Sequence, residues 1–445
     1  MKIPCISCLL FFRFFDFGLQ TVLKKTIMHY FAYKGGGLHA EDVPLEDLGR
    51  EYGTPLYVYS KRTLVRHMRA YKEAFGDKAF GKGGGIVSFA LKANSSGAIL
   101  RLLASEGAGA DVVSGGELWR ALRAGIPAGK TVYAGVGKTA GEIAYALKKK
   151  ILMFNVESDG ELDNINQIAA RAGRKAPVAL RVNPDIDPAT HPYISTGLEK
   201  NKFGVPIKDA LEFYARASRM KNVEIVGVHE HIGSQLTELA PFKEALEKVL
   251  ALMERLRKDG IHLRYLDLGG GLGIRYERGE EPPVPGALAK SLKPLLRGRG
   301  LTVIVEPGRS IVGNAGALLT RCLYTKKAAR KRFAIVDAGM NDLIRPSLYG
   351  AYHEIVPVRR NRRTRVKMDV VGPICESGDF LASDRPMPEV RAGELLCLLG
   401  AGAYGFSMSS NYNSRPHPAE VMVDGGRHWP IRKRENYRDL VRGEL

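Results

Sequence analysis

A lysine, a run of glycines and a Glu-Pro-Gly-Arg tetrad are the residues of this 445-residue chain whose chemistry could be combined. Lys92 ends the apolar run 86–91 and is followed by the polar Asn94-Ser95-Ser96-Gly97. A strand that delivers a lysine at its end presents an amine at the mouth of a fold. Desolvation or a neighbouring cation would lower its pKa and make it a nucleophile toward carbonyls. A single lysine in such a place is more often a snorkelling side chain, so its setting decides. Gly269-Gly270-Gly271-Leu272-Gly273 follows the apolar segment 265–268, and Glu306-Pro307-Gly308-Arg309-Ser310 follows 302–305. Glycines let backbone N–H groups approach an anion closely, so two such loops beside an arginine suit a phosphate. His229-Glu230-His231-Ile232-Gly233-Ser234 adds an imidazole at His231, able to stack on a flat ring, and a hydroxyl at Ser234, able to bond a phosphate.

Eight apolar, β-branched segments must carry these groups: 86–91, 110–113, 131–134, 152–156, 178–182, 224–229, 265–268 and 302–305. Helix-patterned stretches separate them, among them 117–124, 140–149, 208–218 and 242–258. Regular alternation of strand and helix means parallel pairing through right-handed crossovers, and eight units over roughly 250 residues fit a closed (β/α)8 barrel of the TIM type. Chemistry in such barrels collects at the C-terminal strand ends. Those ends carry Lys92, Asp111, Ser114, Tyr133, Asn155, Glu157, Arg181, Asn183, His229, His231, Gly269 to Gly271, Glu306 and Arg309. Past Arg309 the rhythm stops. Segments 311–324, 332–336, 354–358, 366–371 and 394–399 read as strands without helices between them, an all-β C-terminal domain, and the alternating strand around Tyr57 is expected to join it. The expected division is 1–27 as an extension outside the fold, 28–60 contributing to the β domain, 61–310 as the barrel and 311–445 as the β domain.

Closing the barrel makes the first strand a neighbour of the seventh and eighth. A lysine beside a phosphate cradle describes a small cofactor carrying an aldehyde and a phosphate, pyridoxal 5'-phosphate. Glu306 would then face the pyridine nitrogen and keep it protonated, while Asp111, Pro307 and Gly308 lie on the same rim.

Composition bounds the alternatives. With 45% hydrophobic residues the chain can bury a large core, and no apolar run is long and charge-free enough to span a bilayer. A net charge of +20 raises nucleic acid as a partner, but the basic runs at 326–332 and 359–365 lack interleaved aromatics and read as solvated loops or hairpin ends. Five cysteines are too few and too scattered for a disulfide framework, which points to a reducing, cytoplasmic setting. Cys5 and Cys8 form a lone CxxC without a second pair, so no metal site is expected. Neither a membrane nor a nucleic-acid partner is expected.

Taken in order, Ala90-Leu91-Lys92-Ala93-Asn94, His231-Ile232-Gly233-Ser234, Gly269-Gly270-Gly271, Glu306-Pro307-Gly308-Arg309 and Cys375-Glu376-Ser377-Gly378-Asp379 resemble the alanine-racemase-like barrel decarboxylases that depend on pyridoxal phosphate. The resemblance runs from about Tyr52 to Val423. It implies Lys92 as the Schiff-base lysine, His231 as the ring-stacking residue, Ser234, Gly269 to Gly271 and Arg309 at the phosphate, and Glu306 at the ring nitrogen. The segment 341–349 resembles the family's substrate loop, implying that Arg345 and Tyr349, with Arg309, hold a distal carboxylate. Glu376 is implied to take the distal amine, Tyr404 to touch phosphate and substrate, and Cys375 to donate a proton across the interface of a homodimer. The implied reaction is decarboxylation of meso-2,6-diaminopimelate at its D-centre to L-lysine. The rivals are a sister decarboxylase acting on carboxynorspermidine, ornithine or arginine, a racemase on the same barrel, and a non-catalytic cofactor-binding protein. Phe89, where a tyrosine is common, and Glu230, between two histidines, depart from the family pattern without removing a catalytic group.

Overall fold

A computed structural model describes residues 28–76, 79–80, 84–186, 202–277, 279–328 and 330–445. The extension at 1–27, with Cys5 and Cys8, lies outside the described residues. Eight parallel strands close on themselves: β1 (Gly85–Ala90), β2 (Gly109–Val112), β3 (Thr131–Tyr133), β4 (Met153–Val156), β5 (Ala176–Asn183), β6 (Val223–Glu230), β7 (Tyr265–Asp267) and β8 (Thr302–Val305). Each pairs with the next, β4 with β5 included, and β8 returns to β1 with Val305 opposite Val87. The barrel read from the sequence is the barrel formed.

Strand period two sorts the side chains. Val132, Met153, Ala179, Val226 and Ile304 fill the lower interior, while outward-facing Phe89, Val112, Phe154, Leu180 and Val228 pack against the helix layer. Serine caps set several helix starts: the Ser114 and Ser158 hydroxyls accept from the N–H groups of Glu117 and Glu161. After β8 the chain makes only one helical turn, Arg309–Val312, so the helix that precedes the barrel, Lys61–Phe75, packs against Pro285–Leu296 and Gly97–Ser105 and fills the gap.

The expected strand at 311–324 begins later than its apolar pattern suggests, at Gly316–Ala328, because its first residues complete the turn that holds Arg309. This strand anchors a second sheet in the order Phe380–Pro388, Arg365–Val371, Lys331–Val336, Gly316–Ala328, Leu56–Ser60, Ala419–Asp424, Arg427–Arg432. The strand around Tyr57 therefore does join the C-terminal sheet. Both basic runs take solvated positions. Lys326 and Lys327 ride an exposed hairpin arm, and Arg359 and Arg363 form ion pairs with Glu46 and Glu394. No helix among the described residues is long and apolar enough to cross a membrane.

Candidate active site

One 3-10 turn, Leu91–Ala93, lifts Lys92 off the end of β1 to the barrel mouth. The turn is fastened on both sides. Ala90 N–H donates to the Pro307 carbonyl (3.1 Å), Tyr404 N–H to the Ala93 carbonyl (2.8 Å), and Asn94 Nδ2 to the Gly402 carbonyl (3.1 Å) and the Tyr59 hydroxyl (3.2 Å). The β sheet thus grips the lysine loop directly.

Register then decides the lysine's charge. Ala90 lies opposite Asp111, and Lys92 Nζ makes an ion pair with Asp111 Oδ2. Burial alone would lower the amine's pKa, but the carboxylates of Asp111 and Glu306 outweigh it and hold the ammonium charged. The amine depressed by desolvation or by a neighbouring cation, as the sequence suggested, is therefore corrected to a protonated one poised against a base.

Glu306 ends β8 in a buried polar net. Asn155 Nδ2 donates to Asp267 Oδ2 (3.1 Å) and to Glu306 Oε1 (3.4 Å), and His229 Nε2 stands 3.5 Å from Glu306 Oε2. Burial pushes Asp267 well up, with the charge of Glu306 adding to it, so Asp267 is the neutral member. Glu306 is held as the carboxylate, because His229 and Lys92 overcome its own burial. His229, Asp267 and Glu306 offer one ligand atom each within 4.8 Å of one another, but the hydrogen-bonded Asn155 ties the two acids together.

His231 accepts from Gly270 N–H at Nδ1 (3.1 Å), which leaves its proton on Nε2, and burial with Arg181 and Lys92 nearby keeps the ring neutral. The glycine run is required by space. Gly269 has φ +61°, and a Cβ on Gly270 would stand 2.3 Å from the Glu306 carbonyl oxygen. Between His229 and His231 the pleat turns Glu230 outward, into an apolar layer with Tyr71, Phe242, Leu288 and Leu292.

Arg309 donates to Ser234 Oγ (2.9 Å) and to the Tyr276 hydroxyl (2.7 Å), and its guanidinium lies 4.9 Å from the centre of the Tyr404 ring. Arg345 opens the short helix Arg345–Tyr349, faces Tyr276 at 4.8 Å and bonds His353 Nε2 at 2.8 Å. Tyr349 is part-buried within electrostatic reach of Arg309. The structure thus gathers Lys92, Asp111, His231, Ser234, Gly269 to Gly271, Glu306, Pro307, Gly308, Arg309, Arg345, Tyr349 and Tyr404 around one mouth. It does not bring Cys375 and Glu376 there. Both are exposed on a loop braced by Asp379, and their hydrogen bonds run to Asn413 Oδ1 (2.7 Å, from Cys375 N–H) and Gly378 N–H (3.2 Å, to Glu376 Oε1). Sequence reasoning missed Tyr276, His353 and Asp267. Each is a single residue with no motif around it, and only the proximity of Tyr276 to the glycine run was a usable signal.

The donor set fits pyridoxal phosphate. A cationic Arg309 with a serine hydroxyl suits a phosphate, a carboxylate suits a pyridinium, and the buried Asp111 Oδ1 has no hydrogen-bond partner. Comparison with known proteins agrees. The family described as "Pyridoxal-dependent decarboxylase, pyridoxal binding domain" matches residues 61–313. The chain is 52% identical over 423 residues to diaminopimelate decarboxylase of Aquifex aeolicus, covering 95% of this chain and 99% of that one. It is 51% identical to the enzyme of Pseudomonas aeruginosa, covering 94% and 99%. Among solved structures, diaminopimelate decarboxylase from Helicobacter pylori complexed with L-lysine superposes with a TM-score of 0.85 at 47% identity, covering 89% and 98%. Diaminopimelate decarboxylase from m. jannaschi superposes with a TM-score of 0.88 at 40% identity, covering 94% and 98%.

Proposed function

From the premise that the chain belongs to the pyridoxal-dependent decarboxylases, and among them to the diaminopimelate decarboxylases, we propose that it releases CO2 from the D-centre of meso-2,6-diaminopimelate and leaves L-lysine. The observation that carries this reading is a pair of buried guanidiniums, Arg309 and Arg345, gathered on the Tyr276 ring and without an ion-pair partner among the described residues. Such a pair attracts a carboxylate and repels the terminal ammonium of ornithine or lysine.

When bound, pyridoxal 5'-phosphate supplies an aldehyde for amines and an electron-accepting ring. Lys92 is its tether. The ammonium must first lose its proton, and Asp111, already hydrogen-bonded to it, is the base at hand. Glu306, kept anionic by His229, would hold the ring nitrogen protonated, and neutral His231 would support the ring. Ser234, Gly269 to Gly271, Pro307, Gly308, Arg309 and Tyr404 would hold the phosphate. Arg345 and Tyr349, with Arg309, hold the distal carboxylate, and Tyr404 borders the substrate as well. Glu376 takes the distal amine and the Cys375 thiol delivers a proton to Cα.

The last two assignments require a second copy, because within one chain both residues bond only to their own surroundings. A homodimer with shared sites supplies them. In functional terms 61–310 holds the cofactor, and 311–445 with 28–60 selects the substrate. Free Cys322, Cys375 and Cys397 support a reducing, cytoplasmic setting.

The test is CO2 release by the cofactor-loaded protein across meso-diaminopimelate, ornithine, arginine and carboxynorspermidine. Lysine formation from the first alone is expected; preference for a substrate without a distal carboxylate overturns the reading. Lys92→Ala is expected to abolish the visible absorbance of the covalently held cofactor, and an unchanged spectrum removes Lys92 from its role.

A further inference from the structure

Of the three buried arginines among the described residues, one meets an acid. Arg181, at the end of β5, stands 3.3 Å from Glu157. Arg309 and Arg345 are equally buried, with 6% of each exposed, yet among the described residues no carboxylate holds either of them. Arg309 is held by the hydroxyls of Ser234 and Tyr276, and Arg345 by an imidazole. The buried Arg345 Nε has no hydrogen-bond partner among the described residues.

The state of that imidazole follows from geometry. His353 Nδ1 lies 3.0 Å from the Leu399 carbonyl oxygen, which can only accept, so Nδ1 carries the proton. Nε2 is then a lone pair, and it accepts from Arg345 Nη1 at 2.8 Å. His353 is fully buried, and burial with the adjacent Arg345 pushes its pKa down to about 3, so it stays neutral across the working range. Its backbone is fixed as well: Arg385 Nη1 donates to the His353 carbonyl (2.7 Å). Tyr276 completes the frame, its hydroxyl on Arg309, its ring under Arg345 and edge-on to His353 at 5.4 Å.

We infer that His353 and Tyr276 are positioning residues that set substrate choice by orienting Arg345 and Arg309 through an imidazole and a phenol oxygen in place of carboxylates, leaving positive charge unspent for the distal carboxylate. This rests on the proposed function. A carboxylate in place of His353 could hold Arg345 in the same geometry, but it would cancel the charge that the substrate is to meet.

The experiment compares L-lysine, which keeps the distal carboxylate, with 1,5-diaminopentane, which lacks it, as inhibitors of the cofactor-loaded protein. Steady-state constants for meso-diaminopimelate are measured alongside. Wild type is expected to prefer L-lysine. In His353→Ala, KM and the L-lysine inhibition constant are expected to rise about tenfold or more, as for loss of one charge-assisted hydrogen bond. The diaminopentane constant, kcat and the cofactor's absorbance are expected to change less than about twofold, the part of the site they report being untouched. His353→Gln, whose amide can accept from Arg345 and donate to Leu399, should recover most of the loss, and His353→Glu should be worse than alanine. Tyr276→Phe removes one hydroxyl without altering shape and should move L-lysine binding in the same direction, which keeps the comparison readable if the alanine variant does not fold. Equal weakening of both inhibitors, or a glutamate variant that binds L-lysine as wild type does, overturns the inference. A wild type that fails to prefer L-lysine overturns the functional reading instead.

Discussion

Lys92 and Glu230 show how one residue's electrostatics depend on which way the pleat turns it. Lys92 points into the mouth, where two acids keep it protonated; its end-of-strand position was legible, but its charge was not, because Asp111 faces it only through the register of β1 on β2. Glu230, one residue from each of two inward histidines, points outward into apolar surroundings, and burial pushes its pKa up to about 8. Between the ordinary carboxyl value and 8 the folded state holds the proton more tightly than the unfolded chain, so stability falls as pH rises through that window. Glu230→Met removes the titration and fills similar space. The melting temperature of the variant should match wild type near pH 5 and exceed it increasingly up to pH 9, for a gain of roughly a few kcal/mol. Melting curves that stay parallel over that range would show that Glu230 is already relieved by solvent.

At the scale of elements, the glycine run is the joint between β7, β8 and the His231 loop. A Cβ at Gly270 would meet the Glu306 carbonyl at 2.3 Å, a backbone atom that cannot step aside without moving Glu306 itself. Gly270→Ala should therefore weaken cofactor retention about tenfold and lower stability by about 1–3 kcal/mol, read as loss of visible absorbance on dialysis and as a shifted melt. Retention equal to wild type would mean that the loop relaxes away from the site. The barrel strands were legible because parallel strands, covered on both faces, read as continuous apolar runs. Phe380–Pro388 was not: it is an edge strand carrying Pro386 and Pro388, a composition that argues against a strand. The hairpin strands Phe31–Lys34 and Gly37–Ala40 are too short to show a pattern. His353 and Tyr276 escaped for a different reason, since their importance lies in what they touch and not in where they fall in the chain.

For the whole molecule, the sharpest expectation concerns the second copy. If Cys375 acts on the partner's Lys92, neither Lys92→Ala nor Cys375→Ala alone has a complete site, but a mixed dimer has one. Random reassortment of equal amounts should return about a quarter of wild-type activity, as half the dimers are mixed and each carries one good site. No recovery after confirmed subunit exchange would place both groups in the same chain. The excess of positive charge needs no nucleic acid to account for its placement. Lys331, for one, lies at the surface and pairs with buried Asp369 and exposed Asp384.

The strand Leu56–Ser60, seated between Gly316–Ala328 and Ala419–Asp424, has a consequence in time. It leaves the ribosome before any barrel strand, yet both of its sheet partners are made only after the last barrel strand. The barrel can close while this strand still waits, with Leu56, Tyr57, Val58 and Tyr59 shielded only once Gly316–Ala328 and then Ala419–Asp424 have been made. The loop that carries Lys92 is bonded to Tyr59 and to the 402–404 segment, so it takes its final shape only at that closing step. A chain without the 402–404 segment would therefore be a barrel whose Lys92 loop lacks these fastenings.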